Sequence, residues 1–287
     1  MGPTGSGKTE VAEAIAERLG AQLINADAFQ VYVGMDIGTA KPKDKHRYRL
    51  LDLNPPSEGF GVGEFVQRAT RELVELYEAG RSAVVVGGTG LYIRALFESY
   101  SGLAAMPEPE LRARLMERER VEGPKALVEE LTRRAPEVAE KTDLANPVRV
   151  RRALEKLDTK GPMIQASLPP FARTKLVLQR DRSELNAHLE IRMHRMVQNG
   201  WLEEVEGLRK AGFGPGDPGF RALGYSALWQ HLAGAMALND ALDATVTDTR
   251  RYAKRQRSWL RSEPGAVPIS GTTGPEMVDA ALRALQL

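Results

Sequence analysis

MGPTGSGKT (residues 1–9) sets Gly2, Gly7, Lys8 and Thr9 at the spacing G-x-x-x-x-G-K-[ST]. Glycines there let backbone N–H groups turn inward around a phosphate, the lysine adds a point charge, and the hydroxyl after it can ligate Mg²⁺. A phosphorylated ligand is therefore expected, held by Gly2, Pro3, Thr4, Gly5, Ser6, Gly7, Lys8 and Thr9, with Thr9 as the Mg²⁺ ligand.

Working outward, Val11, Ala12, Ile15, Ala16 and Leu19 fall on one helical face and Gly20 supplies the stop. AQLIN (21–25) reads as a short buried strand ending at Asp27, and RLLDL (49–53) as another. Between them QVYVGMDIGTAKPKDK is rich in turn residues and too long for a simple connector, which suggests a functional loop. A helix is expected over 64–80. SAVVVGGTG (82–90) is a β-branched run broken by glycines, the pattern of a strand buried on both faces of a parallel sheet. Alternating strands and helices imply a doubly wound α/β core with active residues at the carboxyl ends of strands, where Asp27 and Thr89 fall.

After Ser101 the chain becomes charged and helix-rich, with no strand candidate before TKLVLQR (174–180). The expected organisation is a P-loop NTPase-like parallel-sheet core begun by residues 1–100, a helical insertion over 101–172, and a core return with a helix-rich C-terminal part over 173–287, closed by a helix after Gly274.

Bulk composition sets the outer limits. The 287 residues are 42% hydrophobic and 27% charged, ordinary for a globular protein. No apolar run approaches the ~20 residues that span a bilayer, and no signal segment opens the chain; a cytoplasmic protein without membrane contact is expected. The absence of cysteine excludes disulfides and thiolate chemistry, and His46, His188, His194 and His231 show no metal-ligand spacing.

The net charge of +2 says little, but its distribution says more. TRRYAKRQRSWLR (249–261) carries Arg250, Arg251, Lys254, Arg255, Arg257 and Arg261 without an acid, interleaved with Tyr252 and Trp259. Such density matches phosphate-backbone neutralisation, and aromatics can stack on unpaired bases. Arg149, Arg151 and Arg152 form a second cluster. The phosphate loop alone admits kinase, ATPase and other transferase readings; a guanine-reading N-K-x-D tetrad is missing. Asp27 can be a Mg²⁺-coordinating acid, a general base or a turn residue, and Asp52 a possible metal acid. Together the features describe a phosphate-loop enzyme with an RNA substrate. A small-molecule phosphotransferase leaves the basic helix without a role, and a non-catalytic RNA-binding protein leaves the phosphate loop without one.

GPTGSGKT, INADAFQVYVGMDIGTAKP (24–42), VVVGGTGLY (84–92), NPVRVRRALE (146–155), RALGY (221–225) and TRRYAKRQRSWLR, in this order over almost the whole chain, resemble the tRNA dimethylallyltransferases (tRNA isopentenyltransferases). The resemblance implies transfer of a dimethylallyl group from dimethylallyl diphosphate to the exocyclic amine of the adenosine immediately 3′ of the anticodon, in tRNAs reading codons that begin with U. It implies Asp27 and Thr89 as catalytic residues, and Arg192 joining the loop on the departing diphosphate. It implies tRNA contacts at Asp27, Ala28, Phe29 and Gln30, at Arg112, at Val148, Arg149, Val150, Arg151 and Arg152, and at Lys254, Arg255, Gln256, Arg257, Ser258, Trp259, Leu260 and Arg261. Mg²⁺ is the implied cofactor, the tRNA anticodon stem-loop the partner, and a monomer the expected state.

Ala28 stands where the family usually has serine, Tyr48 and Arg49 replace a usual histidine pair, and His194 stands at a usual aspartate. Relatives also carry an apolar strand directly before the phosphate loop, whereas Met1 precedes Gly2 here. The expectation is a misplaced start or a truncated chain, with a gap in the middle of the sheet.

Overall fold

The computed structural model describes residues 1–98, 109–159 and 166–287. Contacts divide the chain into Met1–Phe97 with Ala166–Leu287, and Glu98–Gln165. The boundary expected at residue 100 lies outside the described residues.

In the first unit, α1 (Lys8–Leu19) starts at Gly7 and stops at Gly20, both in the left-handed conformation (φ 87° and 60°). β1 (Gln22–Asn25) is central and parallel to both β2 (Tyr48–Arg49) and β3 (Ala83–Val86), with Ile24 opposite Arg49 and Val85. The strand expected over 49–53 is only Tyr48–Arg49, because Leu50 and Asp52 turn left-handed (φ 63° and 51°) and leave the ladder. α2 (Val62–Glu78) buries Phe65, Val66, Ala69, Leu73 and Leu76, and α3 (Gly90–Phe97) follows β3.

A second parallel pair joins β4 (Lys175–Gln179) to β5 (Ala266–Ser270), with Val177 opposite Pro268. Sequence reading missed β5, whose internal proline lacks a ladder donor and argues against a central strand; here it has one strand partner. Met1 continues β4's other edge: its amine donates to Leu176 O (2.7 Å) and Leu178 N donates to Met1 O (2.8 Å). That is the bond pair of a parallel strand opposite Val177. Beyond it the β3 and β4 edges, with Val84, Val86, Leu176 and Leu178, line a cavity of about 380 Å³. All four β3 residues are consequently half-buried, and the expected burial on both faces is corrected.

The helical remainder comprises α8 (Arg182–Gln198), α9 (Trp201–Lys210), α10 (Tyr225–Leu232), α11 (Leu238–Arg261) and α12 (Gly274–Ala284). Trp201, Phe220 and Tyr225 form a core that also takes Val31, Tyr32 and Met35, so the long glycine-rich loop is packed rather than loose. α12 opens with a Thr273/Glu276 capping box and lays Met277 and Ala281 against Val11 and Ile15 of α1.

The second unit holds α4 (Pro109–Glu122), α5 (Pro124–Arg134), α6 (Pro136–Glu140) and α7 (Pro147–Asp158) around Leu111, Leu115, Leu127, Leu131, Val150 and Leu154. Prolines in the first turns of α5, α6 and α7 exploit positions where the helix has no use for an N–H.

Candidate active site

The phosphate loop bends through Gly5 and Gly7, at φ 79° and 87°. Ser6 N donates to Pro3 O at 3.2 Å and Lys8 Nζ reaches back to the same carbonyl at 2.8 Å. Burial lowers the Lys8 pKa to about 8; Asp27 opposes that shift and Arg192 of α8 adds to it. Burial also lowers Arg192, with Asp27 again opposing. One carboxylate and two desolvated cations therefore share a field, and an incoming polyanion would relieve the like-charge repulsion between the cations.

Lining the same cavity as Lys8 and Thr9, Asp27 ends the β1 segment in an Asx turn, its Oδ1 accepting from Phe29 N at 2.9 Å. Ala28 N donates to Thr89 Oγ1 at 3.1 Å, which ties the β1 and β3 carboxyl ends together. The glycines before Thr89 serve packing: a Cβ at Gly87 would lie 2.0 Å from Ala26 O, and one at Gly88 2.4 Å from Gln256 Nε2. Burial first, then the Asp27 charge, pushes the Tyr252 hydroxyl up to about 12. Lys8, Thr9, Asp27, Gln30, Arg192, Arg221, Tyr252 and Arg255 line one cavity of about 310 Å³.

The structure distributes the other sequence-predicted residues unevenly. Lys254 and Arg255 are exposed on α11, with Arg255 over the Tyr252 ring at 5.7 Å, and Ser258 and Arg261 are exposed beyond them. Gln256, 7% exposed, lines the same cavity while accepting from Thr4 N and donating to Gly88 O, both at 2.8 Å, so its amide ties the phosphate loop to the glycine turn. Leu260, 6% exposed, is a core residue and not an RNA contact. Half-buried Trp259 packs on Gly90, where a Cβ would meet its Nε1 at 2.0 Å, and carries Arg94 over its ring at 3.9 Å. Its ring thus packs against α3 on one side. Asp52 is no metal acid here; it is paired with Lys41 and Lys45.

In the helical unit Val150 is 1% exposed in the core, which removes it from the RNA contacts, while Val148 is exposed. Buried Glu155 accepts from Arg112 Nε and Arg152 Nη1, each at 3.0 Å. Arg151 pairs with Glu119, and the exposed Arg149 lies 3.5 Å from Asp143.

Sequence reading missed Arg221 and the Gly38–Ala40 backbone as cavity walls, although RALGY and GMDIGTAKP contain them. Their signal was the motif itself: Arg221 stands alone in RALGY, and the functional-loop reading of residues 30–45 named no site residue after Gln30.

A glycine-rich phosphate cradle, a strand-end carboxylate and cations around one cavity define a P-loop-type α/β enzyme that brings a polyanion to an acid–base group. The family model for IPP transferase matches residues 30–263, and the chain belongs to that family. A tRNA dimethylallyltransferase of Bifidobacterium animalis subsp. lactis is 38% identical over 98% of this chain and 84% of its own. Another from Geotalea uraniireducens is 39% identical over 92% and 88%. Among solved structures, the full-length tRNA isopentenylpyrophosphate transferase from Bacillus halodurans superposes with a TM-score of 0.71 at 30% identity, covering 99% of this chain and 94% of its own. A eukaryotic dimethylallyltransferase acting on tRNA shares the fold with a TM-score of 0.76 at 22% identity, covering 99% and 76%.

Proposed function

We propose that the chain transfers a dimethylallyl group from dimethylallyl diphosphate to the exocyclic amine of the adenosine 3′-adjacent to the anticodon, in tRNAs reading codons that begin with U. The observation that carries this reading is the convergence, on one cavity, of the Asp27 carboxylate with the Lys8 and Arg192 cations. An adenine amine is a poor nucleophile because its lone pair is delocalised into the ring. Asp27 accepts its proton as the N–C bond forms, while the C–O bond to diphosphate breaks on the other face of the reacting carbon. Thr89 supports this end through its bond to Ala28 N.

Phosphate-loop N–H groups, Lys8 and Arg192 stabilise the leaving charge, and such preorganised charge is usually the largest catalytic term. Mg²⁺ fits the donor set: Thr9 is exposed and lines the cavity, and no cluster of three His, Cys, Asp or Glu able to cage a metal exists among the described residues. An ion held through phosphates and water needs few protein ligands, and when bound it would add charge compensation for the diphosphate.

Exposed Lys254 and Arg255 on α11, with Arg149 and Val148 on the helical unit, contact the anticodon stem-loop. The base leaves its stack at a cost of a few kcal/mol, lower in a loop than in a duplex. A monomer acting in the cytoplasm completes this reading. Incubation with Mg²⁺, dimethylallyl diphosphate and unmodified tRNA, then digestion and mass spectrometry, should give an isopentenyl-bearing adenosine. Product from ATP without the prenyl donor, or none from either, would overturn the reading.

A further inference from the structure

Glu204 sits in WLEEVEG, a stretch that reads as an ordinary exposed helix face, and it does not line the cavity. Its carboxylate nevertheless accepts four hydrogen bonds. Asp36 N and Ile37 N donate to Oε2 at 2.8 and 2.7 Å, Gly38 N donates to Oε1 at 3.3 Å, and the Tyr225 hydroxyl donates to Oε1 at 2.6 Å. Three successive backbone N–H groups around one anion form a nest, filled here by the protein's own side chain. Packing closes the loop further, since a Cβ at Gly38 would lie 2.1 Å from Trp201 Nε1 and 2.6 Å from Tyr225 Cε2.

The next two carbonyls after this nest, Thr39 O and Ala40 O, both accept from Gln30 Nε2, each at 3.1 Å. A primary amide has two N–H donors and one carbonyl. Two carbonyls facing the same terminal atom require that atom to be nitrogen, so the amide's orientation follows from the network. Both donors are spent on the loop, and Gln30 has only Oε1 left to offer inside the cavity it lines.

We infer that Glu204 is a positioning residue for base selection: by clamping the Asp36–Gly38 backbone it aims the Thr39 and Ala40 carbonyls, which fix Gln30 as an acceptor facing the reacting base. The inference rests on the function proposed above and sharpens its substrate class. With Asp27 also an acceptor, the cavity presents two acceptors to a base edge that must therefore donate twice. An exocyclic amine does so. A ring carbonyl at the same place, as in hypoxanthine, sets acceptor against acceptor and leaves both unpaired.

The test is a cycle of the parent chain, Glu204→Gln, Gln30→Ala and the double variant, assayed on an anticodon stem-loop at saturating dimethylallyl diphosphate. Glu204→Gln should lower kcat/KM for the stem-loop by about tenfold or more, as small misplacements at a reacting centre do. The KM for the diphosphate should stay within about twofold, and in the Gln30→Ala background Glu204→Gln should add less than about twofold. Losses that multiply would show that Glu204 does not act through Gln30.

A second readout needs no turnover: competition for binding between stem-loops carrying adenosine or inosine at the reacting position. The preference for adenosine should narrow in Glu204→Gln, and an unchanged preference would overturn the inference. If Glu204→Gln does not fold, Tyr225→Phe, which removes one donor from the carboxylate, should narrow the same preference more weakly, and an unchanged preference there would count equally against it. A parent chain that makes no product counts against the proposed transfer, while the competition still decides the role of Glu204.

Discussion

Two cavities share the Lys8 and Val86 region of the core, and their walls differ in kind. The smaller, about 310 Å³, is walled by Lys8, Arg192, Arg221, Arg255 and Asp27, and burial lowers the pKa of Lys8 and Arg192. The larger, about 380 Å³, is walled by Val84, Leu176, Leu178, Leu73 and Leu76 and bounded by two sheet edges. Charges held together without enough countercharge wait for a ligand that brings it. Apolar side chains around two open backbone edges accept a strand. The larger cavity is thus a matter of stability and the smaller one of chemistry.

The largest expected effect breaks the smaller cavity. Asp27→Ala removes the proposed proton acceptor but none of the cations, so turnover should fall by about 10²–10⁴-fold, the range of general-base contributions. Stem-loop binding measured by filter retention should survive. Equal loss of binding and turnover would mean that Asp27 docks the RNA rather than serving the chemistry.

The next effect acts on the larger cavity alone. Joining about five apolar β-formers ahead of Met1 would bury several side chains at about 1.5–3 kcal/mol each. Ordering them costs about 1–2 kcal/mol per residue, and new ladder bonds add about 1 kcal/mol each. A net gain of a few kcal/mol corresponds to a Tm rise of about 5 °C or more. A Gly/Ser extension of equal length should not raise Tm, and equal effects of the two would sink the account. A pH signature accompanies the change. Burial lowers the Met1 amine to about 5 from its ordinary 8.0, so between those values the unfolded chain binds more protons and stability rises with pH. Replacing that amine by a peptide N–H should abolish this part of the slope.

The same contrast explains what the sequence could disclose. The phosphate loop, Asp27 and the GGTG turn were legible because backbone geometry dictates their residue types, and α1, α2 and β4 because their apolar spacing is regular. β5 was not, since Pro268 argues against a strand unless its edge position is known. The expected full burial of β3 failed because a run of valines records the environment its residues suit, not whether a neighbour is present. On α11, one helix interleaves exposed Lys254 and Arg255 with buried Gln256 and Leu260, and cation density alone could not separate docking from packing. Glu204 was invisible because its partners are backbone N–H groups far away in sequence.

A smaller effect sharpens the chemistry of the charged cavity. Lys8, at about 8, is protonated below that pH in the free protein and neutral above it. Diphosphate favours the charged form, so binding takes up a proton at alkaline pH. The Kd for dimethylallyl diphosphate should hold steady between pH 6 and 7.5 and then rise, by at most about tenfold per unit, above pH 8. Lys8→Arg should move that rise beyond the accessible range, and an identical profile in the variant would assign the titration elsewhere.

The smallest effect separates docking from chemistry by ionic strength. Lys254 and Arg255 are exposed, so in the proposed function each works through a screened phosphate contact and not through the desolvated field that Lys8 and Arg192 share. Substituting both by alanine should weaken stem-loop binding for all sequences alike and reduce the slope of log K against log salt by about one per cation. The turnover of bound substrate should change little, because neither group compensates the leaving diphosphate. A loss of kcat with an unchanged salt slope would instead put Arg255, which lines the cavity, among the charges that stabilise the departing group, and the division between exposed docking cations and buried catalytic ones would have to be redrawn at that residue.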